Sequence, residues 1–228
     1  VCKADAALVD SAVTAAKAAQ DGPWAGYSAD QRADVLVRIA DGIERRFEEF
    51  VAAEVADTGR PVQQARTLDI ARGVHNFRTF AELVRQSGSE FFEMRAADGS
   101  DVFSYTVRKP HGVVAIISPW NLPLYLFTWK IAPALAAGNC VVAKPSEVTP
   151  MTAYLMSEIC IEAGLPAGVL NIVHGYGHKV GAAMTAHPKV PVISFTGGTA
   201  TGRTIAATAA PMFKKLSLEL GGNAPFIV

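Results

Sequence analysis

Apolar positions recur at helical spacing through the first 87 residues. Ala4–Gln20 is alanine-rich and is predicted to form a helix. A second helix begins at Ser28, where Gln31 three residues later completes a capping box. A third is predicted over Val62–Arg85, with a bend near Gly73. The apolar face of the second helix consists of Leu36, Ile39, Ala40, Ile43, Phe47, Phe50 and Val51, and Thr58-Gly59-Arg60-Pro61 ends it.

Two short β runs follow this helical region. Phe91–Met94 and Val102–Val107 flank Asp98-Gly99, and an Asp-Gly pair between such runs is a hairpin signal. A hairpin apart from a larger sheet leaves its edges unpaired. Residues 88–110 are therefore expected to form an arm that contacts another subunit.

From Gly112 onward, strand-like runs alternate with helix-like runs. Continuous apolar strands in such an alternation predict an α/β fold, with a parallel sheet covered by helices on both faces. Thr149 is expected to cap the second of these helices, and Gly164 to follow its end. The predicted strands are Val113–Ile117, Cys140–Ala143, Val169–Val173, Val192–Phe195, Leu216–Leu220 and Phe226–Val228. The predicted helices are Leu122–Ala137, Pro150–Ala163, Val180–Ala186 and Thr199–Ala209.

Composition narrows the possible partners. The 228 residues include 21 basic and 21 acidic side chains, so charge gives no reason to expect a nucleic acid or an anionic membrane as partner. No apolar run has the length of a membrane span. Cys2, Cys140 and Cys160 are scattered and lack metal-ligand spacing, which favours a reducing compartment such as the cytoplasm and predicts no metal site. Because the chain lacks an initial Met and stops within a predicted strand, we expect it to be part of a longer protein.

The unusual polar residues stand directly after predicted strands. Parallel sheets bind ligands at the carboxyl ends of their strands, so these residues form one candidate site. They are Ser118-Pro119-Trp120-Asn121, Lys144-Pro145-Ser146-Glu147, the turn from Phe195 to Gly202, and Glu219 followed by Leu220-Gly221-Gly222.

Each of these residues has a functional interpretation and a structural alternative. Glu219 lies in an apolar strand, where burial would raise its pKa and suit it to general-base catalysis; the alternative is a strand residue that faces solvent. Asn121 can donate an amide N–H to an oxyanion, or it can cap the following helix.

The remaining segments suggest contacts with a sugar and with phosphates. Lys144 and Glu147 can bind a diol or a phosphate, or form a solvated ion pair. The turn Gly197–Gly202 leads into a helix start, which favours phosphate, although it does not match G-x-G-x-x-G. Gly177 and Gly181 allow a flat ring to approach closely, or form a turn. Cys140 and Cys160 read as small core residues.

Taken in order along the chain, these motifs resemble the aldehyde dehydrogenase superfamily, and the resemblance covers essentially all 228 residues. It implies a modified Rossmann domain with a hairpin that joins an oligomerisation arm. It also implies that a cysteine thiolate attacks the aldehyde, that hydride passes to nicotinamide, and that water releases the acid. The family's nucleophilic cysteine would lie beyond Val228, so the catalytic domain is expected to be absent from this chain.

The resemblance also assigns roles by position. Asn121 would hold the oxyanion, Glu219 would activate water, and Lys144 and Glu147 would hold the adenine ribose. The family often has Ser where Gly198 stands, which puts one phosphate contact in doubt. The residues assigned to the cofactor are Trp120, Lys144, Ser146, Glu147, Gly177, Gly181, Phe195, Thr196, Gly197, Gly198, Gly202, Leu220 and Gly221.

Within the superfamily, Phe91-Phe92-Glu93-Met94 and Trp120–Leu126 resemble the 2-hydroxymuconic and 2-aminomuconic semialdehyde dehydrogenases. These substrates carry a carboxylate, which Arg72 could hold; a surface arginine is the alternative. NAD is favoured over NADP, because Glu147 would repel a 2′-phosphate. A succinate semialdehyde dehydrogenase, a non-catalytic dinucleotide-binding module and a structural protein on this fold remain open alternatives.

Overall fold

The structure, a computed structural model, describes residues 3–222, 224–225 and 227. Cys2 and, apart from Ile227, the predicted strand Phe226–Val228 lie outside that part of the chain. The helical region before residue 88 comprises α1 (Ala6–Gln20), a 3₁₀ turn (Pro23–Gly26), α2 (Ala29–Arg45), α3 (Phe47–Thr58), α4 (Val62–Gln64), a π-helical segment (Ala65–Ile70) and α5 (Ala71–Arg85).

The start of α2 is set by the predicted capping box. Ser28 Oγ accepts the Gln31 N–H at 3.2 Å, and Gln31 Oε1 accepts the Ser28 N–H at 2.8 Å. These bonds satisfy two backbone donors that a helix start leaves free. The apolar face of α2 is fully buried at Leu36, Ile39 and Ile43.

The prediction of one continuous helix to Thr58 is wrong, because the helix breaks at Arg46. The backbone there (φ −104°, ψ 24°) departs from α geometry. The Arg46 guanidinium binds Glu49 at 2.7 Å and Glu158, in a later helix, at 2.8 Å. This break separates α3 from α2, and α3 packs against α7 and the π-helical segment.

The predicted third helix changes its hydrogen-bonding pattern a few residues before Gly73. The irregularity is the π-helical segment Ala65–Ile70, and α5 continues through Gly73. Gly73 instead permits close packing, since a Cβ there would lie 2.8 Å from Cδ2 of Leu124.

The hairpin consists of β1 (Phe91–Arg95) and β2 (Asp101–Tyr105), paired antiparallel with Phe91 opposite Tyr105. Gly99 adopts φ 85° in the turn, and Asp98 Oδ1 accepts the Ser100 N–H at 3.0 Å. Every residue of both strands is exposed.

The main sheet is parallel and has the order β5-β4-β3-β6-β7, so the predicted α/β fold is confirmed. Of its interior strands, β3 and β4 are wholly buried and β6 alternates between half-buried and buried residues, whereas β7 lies at an edge and is half exposed. The strands are β3 (Val113–Ile117), β4 (Cys140–Lys144), β5 (Leu170–Ile172), β6 (Val192–Thr196) and β7 (Lys215–Glu219). The intervening helices are α6 (Pro123–Ala136), α7 (Met151–Glu162), α8 (Ala182–Ala186, after a π turn at Gly177–Gly181) and α9 (Thr199–Ala209, continued by a 3₁₀ turn at Ala210–Met212).

Helices cover the sheet in two layers. On one side α6 and α7 pack against each other and against α2, α3 packs on α7, and α5 packs on α6. On the other side α1 packs on β3, β4 and β5, and α8 packs on α9. The helices that precede residue 88 are therefore built into the same core as the sheet.

The start of α7 differs from its prediction. Gly164 follows the end of α7 with φ 74°, as expected. However, Pro150 and not Thr149 occupies the cap position, and the Thr149 hydroxyl is buried with no hydrogen-bond partner among the described residues. The first N–H of the helix, that of Met151, donates instead to Asp57 Oδ2 at 2.8 Å.

Candidate functional site

The polar segments predicted from sequence meet at one edge of the sheet. The chain moves outward from β3 to β4 and β5, then returns to place β6 on the other side of β3. The strand order therefore reverses between β3 and β6, and ligands of open parallel sheets bind at such a reversal. Two hydroxyls end the flanking strands, Ser118 Oγ and Thr196 Oγ1, and both are buried without a partner in the described chain.

Lys144 and Glu147 form a compact pair after β4. Lys144 is almost fully buried, and its Nζ donates to Glu147 Oε2 at 2.8 Å and to the Pro145 carbonyl at 2.9 Å. Glu147 Oε1 accepts the Gly177 N–H at 3.4 Å. Burial acts to raise the pKa of Glu147, but the bond and charge of Lys144 and the Gly177 amide outweigh it, so this pKa lies below its ordinary value.

Two further candidate residues, Ser146 in the loop after β4 and Gly181 in the turn before α8, are buried. Ser146 is buried, and its Oγ accepts the Val148 N–H at 3.4 Å within its own loop. Gly181 is also buried, and a Cβ there would lie 3.5 Å from Ile117 Cδ1. Both residues thus have a packing role in the structure.

The glycine-rich turn after β6 combines tight packing with an open helix start. A Cβ on Gly197 would lie 2.5 Å from the ring of Phe195, and one on Gly202 would lie 2.5 Å from Leu220. Gly198, by contrast, has open space around it and precedes α9 without a side-chain cap. The first amides of α9 are therefore free to bind an anion.

Glu219 is exposed, so the expectation of a buried carboxylate is wrong. It ends β7 in register with Thr196, and its carbonyl accepts the Gly197 N–H at 3.0 Å. The reason is its place in the sheet, because β7 is an edge strand and alternates between exposed and half-buried residues. Two residues later, a Cβ added to Gly221 would lie 3.5 Å from Thr199 Oγ1.

Sequence analysis missed Lys130, which lies beside this strand end. Its side chain is buried in α6, and Nζ donates to Ser194 Oγ on β6 at 2.9 Å. Burial lowers the pKa of Lys130, and the charge of Glu219 opposes that shift. The available signal was a lone charge in the apolar stretch Leu122–Ala137.

Asn121 and Trp120 are exposed in the loop after β3. The alternative that Asn121 caps α6 is wrong, since Leu122 occupies the cap position and makes no side-chain cap bond. The Asn121 amide is thus available to a ligand, while its backbone carbonyl accepts a hydrogen bond from Arg60 Nη2. Arg60 is a second residue that sequence analysis did not assign to the site.

Arg72 lies on α5 and is exposed. Its guanidinium stands 5.5 Å from the centre of the Tyr125 ring, in the first turn of α6. The structure therefore places Arg72 beside the helix that follows the Asn121 loop.

Two cysteines are described, and neither resembles a nucleophile. Cys140 and Cys160 are both buried, and burial raises the pKa of each thiol to about 12. In the described residues no cluster of three or more His, Cys, Asp or Glu side chains is arranged to hold a metal ion. None of the described helices combines the length and apolarity needed to cross a bilayer.

Comparison with known proteins yields one family. The sequence model of the aldehyde dehydrogenase family matches residues 1–228. The chain is 52% identical to the 2-hydroxymuconic semialdehyde dehydrogenase of Pseudomonas sp. (strain CF600), covering 100% of this chain and 47% of that protein. It is 51% identical to the 2-aminomuconic semialdehyde dehydrogenase of Bos taurus, covering 96% and 44%.

A solved structure agrees with this result. The NAD+ complex of an aldehyde dehydrogenase from Bacillus cereus superposes with a TM-score of 0.94 at 39% identity, covering 99% of this chain and 45% of that one. The chain thus spans about half the length of the proteins that it matches.

Proposed function

Because the chain belongs to the aldehyde dehydrogenase family, we propose that it supplies the nucleotide-binding part of an enzyme that oxidises an aldehyde to its carboxylic acid with NAD. The observation that carries the proposal is the convergence of three polar segments, after β3, β4 and β6, on the reversal of strand order. A dinucleotide needs such a crevice together with a diol-binding pair and a free helix start.

Lys144 and Glu147 are proposed to hold the adenine ribose. The low pKa keeps the Glu147 carboxylate ionised at neutral pH, so both its oxygens can accept from ribose hydroxyls. The same charge repels a 2′-phosphate, which favours NAD over NADP. Gly177, which has open space around it, is proposed to leave room for the adenine ring, and the buried Gly181 is proposed to form the base of the same turn.

The start of α9 is proposed to bind the pyrophosphate. Its uncapped amides and the open space at Gly198 leave room for an anion. Thr196 and Gly197 lie at the same strand end, and Phe195, Gly202, Leu220 and Gly221 shape the turn around it. Trp120 and Ser146 are assigned to the walls of the nucleotide site.

Asn121 and Glu219 are the proposed catalytic residues of this chain. Asn121 would donate its amide N–H to the aldehyde oxygen as negative charge develops there, which needs no proton transfer. Glu219 would accept a proton from the water that releases the acid, and its exposure allows it to reach a water molecule. NAD, when bound, supplies the hydride acceptor.

The substrate class follows from Arg72. A guanidinium held over Tyr125 near the Asn121 loop can bind a carboxylate through two parallel hydrogen bonds. We therefore propose a semialdehyde that carries a carboxylate, such as 2-hydroxymuconic or 2-aminomuconic semialdehyde, the substrates named for the similar enzymes. Succinate semialdehyde is the alternative of the same chemistry.

A second candidate function is nucleotide binding without turnover. The buried, weakly acidic thiols of Cys140 and Cys160 favour it for the described residues. Assays of the natural gene product separate the two functions, because only an enzyme reduces NAD when a muconic semialdehyde is added.

The exposed hairpin is proposed to join copies of the chain into a dimer or tetramer, in the cytoplasm. Phe91, Phe92, Phe103 and Tyr105 present apolar surface that a partner would cover. Light scattering of the natural gene product tests this assembly, and a monomer at micromolar concentration would contradict it.

Calorimetric titration of this chain with NAD and with NADP tests the nucleotide proposal. We expect NAD to bind more tightly. A Glu82→Gln variant, altered at an exposed residue of α5, should bind like the parent chain. Absence of binding to both nucleotides by a folded chain would refute the proposal.

A further inference from the structure

The last turn of α3 reaches the start of α7, which has no side-chain cap of its own. Asp57 Oδ2 accepts the N–H of Met151, the first residue of α7, at 2.8 Å. Glu54, one turn earlier on the same face, is fully buried, and neither of its carboxyl oxygens has a hydrogen-bond partner among the described residues. An acidic side chain at a helix N-terminus interacts favourably with the helix dipole, so Asp57 supplies to α7 what its own sequence lacks.

Arg60 extends the same contact to the loop before α6. Gly59 ends α3 with φ 69°, and Thr58 Oγ1 accepts the Arg60 N–H at 3.3 Å, which turns the chain back. The Arg60 guanidinium then binds the fully buried Asp69 at 3.2 Å and donates to the Asn121 carbonyl. One side chain thus links α3, the π-helical segment and the Asn121 loop.

These contacts lie where the two loops are least constrained. The loops Ser118–Asn121 and Lys144–Glu147 each begin at a buried strand, which fixes one end. The other end enters a helix with no local side-chain cap. Contacts at those helix starts therefore act on the unanchored end of each loop.

We propose that Asp57 and Arg60 are positioning residues, which hold the loops Ser118–Asn121 and Lys144–Glu147 in a fixed relative arrangement through their contacts just before α6 and at the start of α7. The meaning of these loops for catalysis rests on the proposed function. The positioning itself is a property of the chain without nucleotide and is measured separately.

Hydrogen exchange with mass spectrometry on the 228-residue chain tests the proposal. Arg60→Gln should raise amide exchange about tenfold, the equivalent of one lost charged hydrogen bond, in residues 119–126 and not in the second half of α6. Asp57→Asn should do so around residues 148–154. The matched control is Arg78→Gln, which breaks the ion pairs of Arg78 with Asp41 and Glu44 on α2, away from both loops. Unchanged exchange in both loops, or an equal increase along the whole chain, would overturn the proposal.

Fluorine NMR of the chain labelled with 5-fluorotryptophan gives an independent readout. The chain has three tryptophans. Trp120 lies in the loop and is the probe, while Trp24 in the core and Trp129, packed on Phe80, are the references. Arg60→Gln should shift the Trp120 resonance, assigned with Trp120→Phe, and leave that of Trp24 in place. Arg60→Lys, which keeps the positive charge beside Asp69, should shift the Trp120 resonance less than Arg60→Gln does. Equal changes at Trp120 and Trp24 would indicate general destabilisation and refute positioning.

Nucleotide titration keeps this inference separate from the proposed function. If the parent chain fails to bind NAD but Arg60→Gln loosens residues 119–126, the proposed function fails and the positioning role stands. If NAD binds and exchange in the loop is unchanged, the positioning role fails alone.

Discussion

Lys130 donates a 2.9 Å hydrogen bond to Ser194 from within an apolar helix, and this bond places a buried ammonium beside the end of β7. The cost of burial exceeds the attraction of Glu219, since the pKa of Lys130 is lowered. A buried lysine of this kind is tolerated because its hydrogen bond and a nearby carboxylate partly offset the desolvation.

Lys130→Met is expected to change how stability depends on pH. The pKa of Lys130 is lower in the folded chain than its ordinary value of 10.5, so the folded chain releases this proton at a lower pH than the unfolded chain does. Between these two pKa values the unfolded chain binds more protons, and the free energy of unfolding should therefore rise with pH. The variant should lose that rise. Urea unfolding between pH 7 and 10.5 measures this rise, with Lys17→Met, at an exposed residue of α1, as the control.

Glu54→Gln is expected to stabilise the chain above neutral pH. Burial, reinforced by the charge of Asp69, raises the pKa of Glu54 to about 7 from its ordinary 4.5. Below 4.5 the group is protonated in both states. Between these values the unfolded chain releases its proton and the folded chain keeps it, so stability falls with rising pH, by about 3 kcal/mol in total.

Thermal unfolding from pH 5 to 9 measures this effect. The Tm of the parent chain should fall over the range relative to Glu54→Gln, with a difference of several degrees at pH 8. The exposed Glu82→Gln should follow the parent chain. Parallel curves for the parent and Glu54→Gln would show that Glu54 does not titrate in this range.

Glu147→Gln is expected to weaken NAD binding about tenfold, because a charged acceptor for two hydroxyls is replaced by a neutral amide. NADP should be affected less, since the same change removes repulsion from its 2′-phosphate. Parallel titrations with both nucleotides give the ratio. An unchanged ratio would argue against ribose recognition by this carboxylate.

Gly73→Ala is expected to destabilise the chain by roughly 1–3 kcal/mol through overpacking, although alanine favours helices. The added Cβ would lie 2.8 Å from Leu124, whose side chain is fully buried and has little room to move. In a Leu124→Ala background the cost should largely disappear. Equilibrium unfolding of the four proteins of this cycle measures the coupling between the two sites.

Much of the fold could be predicted because its signals are local. The capping box at Ser28 and Gln31 and the Asp98-Gly99 turn each act within a few residues, and the central strands are continuously apolar. The strand ends then brought the candidate site residues to one edge of the sheet.

The errors come from contacts between distant residues. Thr149 is a good local cap, but Pro150 occupies the cap position, and the N–H of Met151 donates to the carboxylate of Asp57, 94 residues before Met151. The break at Arg46 depends on Glu158 in a later helix. Glu219 was expected to be buried, yet Leu216, Ser217 and Leu218 alternate, which is typical of a half-buried strand, and the neighbours of β7 decide its exposure.

The capping of α7 by Asp57 also bears on how the molecule comes apart. Since α2, α3 and α5 pack on α6 and α7, the helical residues before 88 and the sheet after 111 should melt in a single cooperative transition. The hairpin, whose strand residues are all exposed, can open first without loosening the helical residues or the sheet. Its removal should therefore leave the main transition intact, whereas removal of the first 87 residues should abolish it.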